Sequence, residues 1–448
     1  MNYEEFKNNV ILECGQLGIK EYEIYYTLCE ETSIDVFGHE VNGFSSSEHG
    51  GVCFRCIHNG KMGYSSTESL SEDSAKEVVS KALDNASVLE SDEEVFLAEG
   101  GQCYEKLPEI SYNLPTTSEM IDVALDTQEK LYNSNKLVID GTQTQVIRER
   151  YETAIYNSKG LNLHQSSQDS GLVVSAVVSN NEEMADSYEI KLGNLANMDI
   201  DSIVAKCSED AVRKLGGDVA PTGQYPVLFT PEAMSALLQT FCEIFSSENA
   251  QKGLSKLNGM EGEMIASKCV TIVDDPMHDE NPAPKAFDDE GCPTRKKNIV
   301  ENGKLNTLLY NMKTAAVAKR KTTGNAAKSS FTSPVGILPF SMYIANGDCS
   351  EEELIENVGN GIIINSLGGL HAGANAISGD FSLQSSGFMI KDGKKDNYVK
   401  SFTVAGNFYQ LLKGIRMVAN NCKLPHAFSS TAFGSPSVIV DGLSIAGK

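Results

Sequence analysis

The chain has 448 residues, too many for one compact core and enough for about two or three domains. Apolar residues make up 41% and charged residues 22%, which excludes a disordered or fibrous protein. Acidic residues number 61 against 37 basic ones, a net charge of −24 that repels phosphate backbones and anionic lipid, so direct nucleic-acid and membrane binding are not expected.

In chain order, Glu4 to Leu17 has helical spacing, with Phe6, Val10, Ile11 and Cys14 on one face. The start, Met1 to Lys7, lacks the basic start and the apolar run of a signal peptide, and no stretch reaches the roughly 18 apolar residues of a membrane span. A cytoplasmic protein is the expectation, and its 11 scattered cysteines read as buried thiols rather than a disulfide framework. Glu21–Leu28 and Thr32–Phe37 read as two neighbouring strands. Val52–His58 and Met62–Ser65 flank Asn59-Gly60, a strong hairpin signal. Ser71 caps a helix whose stripe is Ala75, Val78, Val79, Ala82, Leu83 and Ala86, and Thr116 with Glu119 has capping-box spacing. Val138 to Val178 reads as short alternating strands around a Ser158-Lys159-Gly160 turn, and a helix from Asp201 stops at Gly216-Gly217.

A domain boundary is placed there, giving an N-terminal domain over 1–217 and a C-terminal, β-rich domain over 218–448. Tyr225–Phe229 is a strand, followed by a helix with Thr230 as N-cap and Pro231 at its first position, burying Leu237, Leu238, Phe241 and Phe245. Residues 270 to 300 read as a long acidic loop, Ser350 and Glu353 cap a further helix, and Phe408, Leu411, Leu412 and Ile415 mark another. This irregular mixture predicts an α+β fold with largely antiparallel sheets rather than regular βαβ units.

Local catalytic motifs fail one by one. Cys53-Phe54-Arg55-Cys56 lies in a strand, where odd spacing sends the two thiols to opposite faces. His39-Glu40 opens like a zinc motif, but Gly43 and Phe44 stand where its second histidine would be. Asp274, Asp275, His278, Asp279 and Glu280 lack calcium-loop spacing and read as a solvated acidic loop. Gly359-Asn360-Gly361 lacks the third glycine of a dinucleotide fingerprint, and there is no phosphate loop or nucleophile elbow.

Ordered blocks along nearly the whole chain nevertheless carry a resemblance. They are Gly51 to Arg55 through Asn59 to Thr67, Phe287-Asp288-Asp289-Glu290-Gly291 with Pro293-Thr294-Arg295, Val300 to Gly303, Ser378 to Ser382, Gly387 to Ile390, Thr403 to Asn407 and Gly434 to Val438. In this succession the chain resembles the TldD/PmbA family. The resemblance implies a soluble two-subunit metallopeptidase acting on peptides or unfolded proteins. One subunit type, TldD, carries HExxxH on the first helix of the second domain and a C-terminal cysteine for zinc. The glutamate of that motif serves as base to the zinc-bound water.

At the matching positions this chain has Gln239-Thr240-Phe241-Cys242-Glu243-Ile244, with Gln239 and Ile244 in place of the histidines and Thr240 in place of the glutamate. Phe428 to Phe433 contains no cysteine, and Cys422 reads as the end of the preceding helix. The expectation is therefore the PmbA (TldE) type, with no metal and no catalytic residue of its own. Its implied partner is a TldD-like zinc subunit, or a second copy in a homodimer. Asp288, Asp289, Glu290, His371 and Asp380 are the candidates for lining a substrate cleft. Two other readings stay open: a self-sufficient metallopeptidase using ligands such as His278, Asp288 to Glu290 or His371, and a modulator that binds a peptide or protein without cutting it.

Overall fold

A computed structural model of the chain describes residues 1–90, 93–108, 112–281, 283–424 and 431–447. Among them the secondary structure is α+β, with mostly antiparallel sheets.

The N-terminal half is built on a six-stranded sheet of order β3-β2-β1-β4-β5-β6. Its strands are β1 (Glu21–Phe37), β2 (Glu40–His58), β3 (Lys61–Thr67), β4 (Gln143–Asn157), β5 (Asn162–Ser179) and β6 (Met184–Leu192). Asn59 and Gly60 both take positive φ in the β2–β3 turn, as a two-residue hairpin of that composition requires. Two helix pairs cover one face. At one end α1 (Tyr3–Leu17) and α2 (Glu72–Val88) bury Phe6, Val10, Val78 and Val79 against Tyr22, Ile24, Val52 and Phe54. At the other, α3 (Thr117–Ser134) and α4 (Ile200–Lys214) bury Met120, Leu131, Ile203 and Cys207 against Ile34, Val36, Val146 and Leu172.

β1 is one continuous strand, not two. Its polar middle, which interrupts the apolar pattern, spans the gap between the helix pairs. Beside this polar stretch a pocket of about 480 Å³ is lined by Glu30, Thr32, Ser46, Glu48, Arg148 and Arg150. Likewise the strands expected to be short between Val138 and Val178 are the long β4 and β5, paired from Gln143↔Ser175 to Tyr156↔Asn162.

The chain then enters a seven-stranded sheet of order β18-β20-β8-β15-β16-β17-β7. Its first strands are β7 (Asp218–Val219) and β8 (Gly223–Phe229), followed by α5 (Pro231–Phe241) and α6 (Ser247–Gln251). A five-stranded sheet, β11-β10-β9-β14-β19, packs beside it. In order, the remaining elements are β9 (Ile272–Asp274), β10 (Lys297–Glu301), β11 (Lys304–Leu305), α7 (Met312–Val317), β12 (Ala326–Ala327), β13 (Gly336–Ile337), β14 (Ser341–Ile344), α8 (Glu351–Val358), β15 (Gly361–Gly368), α9 (Leu370–Gly373), β16 (Asp380–Lys391), β17 (Lys394–Asn407), α10 (Phe408–Gly414), β18 (Ile415–Val418), β19 (Ala432–Gly434) and β20 (Val438–Ala446). β20 bonds to both β8 and β17, so β8, β15, β16, β17 and β20 close into a ring. α5 sits on this core, with Phe241 stacked on Phe408 at 4.6 Å between ring centres.

Candidate functional site

The helix that carries the family motif starts as its sequence dictates. Thr230 accepts a hydrogen bond from the Ala233 amide and Pro231 occupies the first turn. It ends at Phe241, where the chain tightens into a 3-10 turn over Cys242–Phe245. Gln239 is exposed, whereas Ile244 is buried in the apolar core among Phe241, Phe245 and Leu257. The Thr240 hydroxyl donates to the Ala236 carbonyl at 2.8 Å. These residues do not fit zinc. The amide of Gln239 faces solvent, Ile244 has no donor atom and lies in the core, and Thr240 is no base. Burial, reinforced by Glu243, pushes the Cys242 thiol up to about 12, so it stays protonated at neutral pH.

Cys422, expected at a helix end, instead follows β18, and its amide donates to Asn346 Oδ1. Burial, and secondly Glu280, raises its thiol to about 12. Residues 428–430 of the cysteine-free stretch lie outside the described residues. Among the described residues no three His, Cys, Asp or Glu side chains gather in an arrangement suited to a metal ion.

The acidic segment before β10 is solvated only in part, at Asp279 and Glu280. Asp274 ends β9 fully buried, accepting from the Phe340 and Ser341 amides, Asn325 and Lys297 at 2.8–2.9 Å. Asp288, Asp289 and Glu290 are buried too, rather than facing solvent. Asp288 accepts from the Glu290, Cys292 and Ala326 amides, Asp289 from the Lys328 amide, and Glu290 from the Met312 amide. Backbone amides therefore replace the water these carboxylates lose.

The block is wedged against the uncovered face of the N-terminal sheet. Phe287 and Cys292 pack with Tyr25, Cys53, Ile155 and Leu161, and the Tyr104 hydroxyl donates to the Gly291 carbonyl at 2.8 Å. Gly291 has φ 79°, and a Cβ there would stand 2.5 Å from Leu161 Cδ1, so glycine is needed twice over. Cys53 faces this seam while Cys56 faces α1 and α2, as the strand period requires.

At the centre of the seam lies a charge pair that sequence reading missed. Arg55 Nε donates to Glu23 Oε1 at 2.7 Å, with both side chains almost fully buried. Glu23 Oε2 and Arg55 Nη2 have no hydrogen-bond partner. Glu290 senses this guanidinium: burial raises its carboxyl and Arg55 partly offsets the rise. Burial, and then Glu290, raises Asp288 well above the ordinary carboxylate range. A charged Arg within an otherwise apolar strand, directly across from Glu23 in register, was the available signal.

His371 and Asp380 sit elsewhere, exposed on the C-terminal domain around the Gly369–Gly379 turn. Asp380 accepts from Asn407 at 2.7 Å, the first cause of its lowered carboxyl, and His371 has no part in that bond. The structure thus joins Asp288, Asp289 and Glu290 in one seam and leaves His371 and Asp380 outside it. No helix among the described residues is long and apolar enough to cross a membrane.

Comparison with known proteins agrees with this architecture over its full length. Residues 222–447 match the PmbA/TldA metallopeptidase C-terminal domain, 22–86 its domain 1 and 112–215 its central domain. An uncharacterised protein of Methanocaldococcus jannaschii is 26% identical over 90% of this chain and 92% of its own length. The metalloprotease PmbA of Escherichia coli O157:H7 is 23% identical over 91% of this chain and 88% of its own. Among solved structures, a Thermotoga maritima protein provisionally assigned as a modulator of a DNA gyrase superposes with TM-score 0.90 at 28% identity, covering 99% of this chain and 100% of that one. TldE from Thermococcus kodakarensis shares the fold, with TM-score 0.88 at 23% identity over 98% and 99% of the two chains. The chain belongs to the PmbA/TldD metallopeptidase family.

Proposed function

We propose that this chain is the non-catalytic, PmbA/TldE-type subunit of a cytoplasmic metallopeptidase system that cleaves peptides or unfolded proteins. The observation that carries this reading is the motif helix. Gln239, Thr240 and Ile244 supply neither two imidazoles nor a general base, and Ile244 is committed to the core. Zinc then belongs to a TldD-like partner, and this chain contributes shape and interface to the shared substrate chamber.

The test is reconstitution. Peptide cleavage by a zinc-bearing TldD-like subunit is measured with and without this chain, alongside elemental analysis of the dialysed chain alone. Cleavage that needs this chain, with no stoichiometric zinc bound to it, is the expected result. Undiminished cleavage in its absence, or chelator-sensitive hydrolysis by this chain alone, would overturn the reading.

A further inference from the structure

The polar pocket between the two helix pairs carries charges that the fold does not balance. It opens on the helix-bearing face of the N-terminal sheet, and its volume of about 480 Å³ suits a small molecule. Two rows of side chains cross it, Glu48, Glu30 and Arg150 in one and Ser46, Thr32 and Arg148 in the next. All six share the face of Ile34, Val52 and Val146, because their spacing along each strand is even. The side chain of Glu31, which also borders the pocket, leaves by the opposite face.

Glu30 and Glu48 stand directly opposite each other, a like-charged pairing that destabilises a sheet. Neither forms an ion pair among the described residues. Arg150 faces Glu30 in register, yet its guanidinium bonds Glu152 at 3.1 Å instead. Arg148 is held by neutral acceptors, the Pro115 carbonyl at 2.5 Å and Thr117 Oγ1 at 3.5 Å. The pocket therefore keeps one uncompensated cation and two uncompensated carboxylates. At its floor Thr32 is buried with its hydroxyl 3.4 Å from that of Ser46, and Leu114 supplies an apolar wall.

We propose that this pocket binds a free amino acid with a cationic side chain, lysine being the simplest. Its carboxylate pairs with Arg148, and its α-ammonium with Glu30, the diagonal neighbour of Arg148 about 7–8 Å away. Its side-chain ammonium reaches Glu48 one strand further on, and its methylenes lie against Leu114. One anion and two cations on the ligand then meet one cation and two anions on the protein, so every charge gains a partner. A phosphate-bearing ligand would suit Arg148 alone and face two carboxylates, and a diamine without a carboxylate would leave Arg148 unpaired. The net charge of −24 draws a cationic molecule toward the chain. This site is independent of the partner-subunit reading.

Titration calorimetry of the purified chain with L-lysine is the test, with saturable binding of one molecule expected, weaker as salt is raised. Norleucine lacks the side-chain ammonium, cadaverine the carboxylate and Nα-acetyl-lysine the α-ammonium. Each should bind at least about tenfold more weakly than lysine. Glu30→Gln and Glu48→Gln, both at exposed positions, should each weaken lysine binding about tenfold with an unchanged circular dichroism spectrum. No binding at millimolar lysine, norleucine bound as tightly as lysine, or an affinity unmoved by both glutamine substitutions would overturn the proposal. So would acetyl-lysine bound as tightly as lysine, which would point to the C-terminal residue of a peptide instead.

Discussion

Arg55→Met tests the seam most directly. The guanidinium bonds Glu23 with both side chains no more than 5% exposed, and Glu290 lies within its field. Its removal leaves Glu23 buried and without that bond, and lets the Glu290 carboxyl rise further. Breaking one side of a buried pair costs about 3–5 kcal/mol, whereas replacing both sides by apolar residues of similar size is often near neutral. Glu23→Leu combined with Arg55→Met should therefore recover most of what Arg55→Met loses. The chain has no tryptophan, so urea unfolding is followed by far-ultraviolet circular dichroism and tyrosine fluorescence. Because a chain of this size need not unfold in one step, the comparison rests on the transition seen by both probes. A loss below about 1 kcal/mol for Arg55→Met, or a double variant no better than the single one, would refute a charge-paired seam.

Other consequences follow from the same geometry. Asp288 and Glu290 titrate above their ordinary range, so the folded chain holds more protons than the unfolded one between the two pKa values, and stability falls as pH rises through that window. Glu290→Gln should flatten that slope in urea-unfolding midpoints measured across pH, and an unchanged slope would remove Glu290 from the account. A thiol reagent should label the exposed Cys103 and Cys269 quickly and leave Cys242 and Cys292 untouched until denaturant is added, as peptide mapping of the labelled chain would show. Restoring the motif with Gln239→His, Thr240→Glu and Ile244→His should not bring stoichiometric zinc by elemental analysis. Position 244 faces the core, and loss of its apolar side chain should cost about 2–5 kcal/mol.

Local signals were legible because their physics is local. Ser71, Thr116, Thr230 and Ser350 each cap the helix their sequence announces, and Asn59-Gly60 turns where expected. Continuity of β1 was hidden, since Cys29 to Glu31 look like a break when nothing reveals that the strand there crosses between two helix pairs. Burial of Asp274 and Asp288 was equally hidden, because the amides that satisfy them come from Phe340, Ser341 and Ala326, far along the chain. The motif substitutions at 239, 240 and 244 could be read from resemblance alone. The end of the helix at Phe241, which turns Ile244 into the core, could not.

Ring closure by β20 bears on how the chain reaches this state. β8 is bonded on one side to β15 and on the other to β20, and Phe229 waits for Val438 to arrive in register. Until then β8 presents an unpaired apolar edge during synthesis, the kind of surface on which nascent chains aggregate. The ring can be completed only when residues 438–446 are available, so its assembly is a late, non-local and slow event. Loss of that one strand would open the ring at β8 and β17 together, leaving two unpaired strand edges in place of two paired ones.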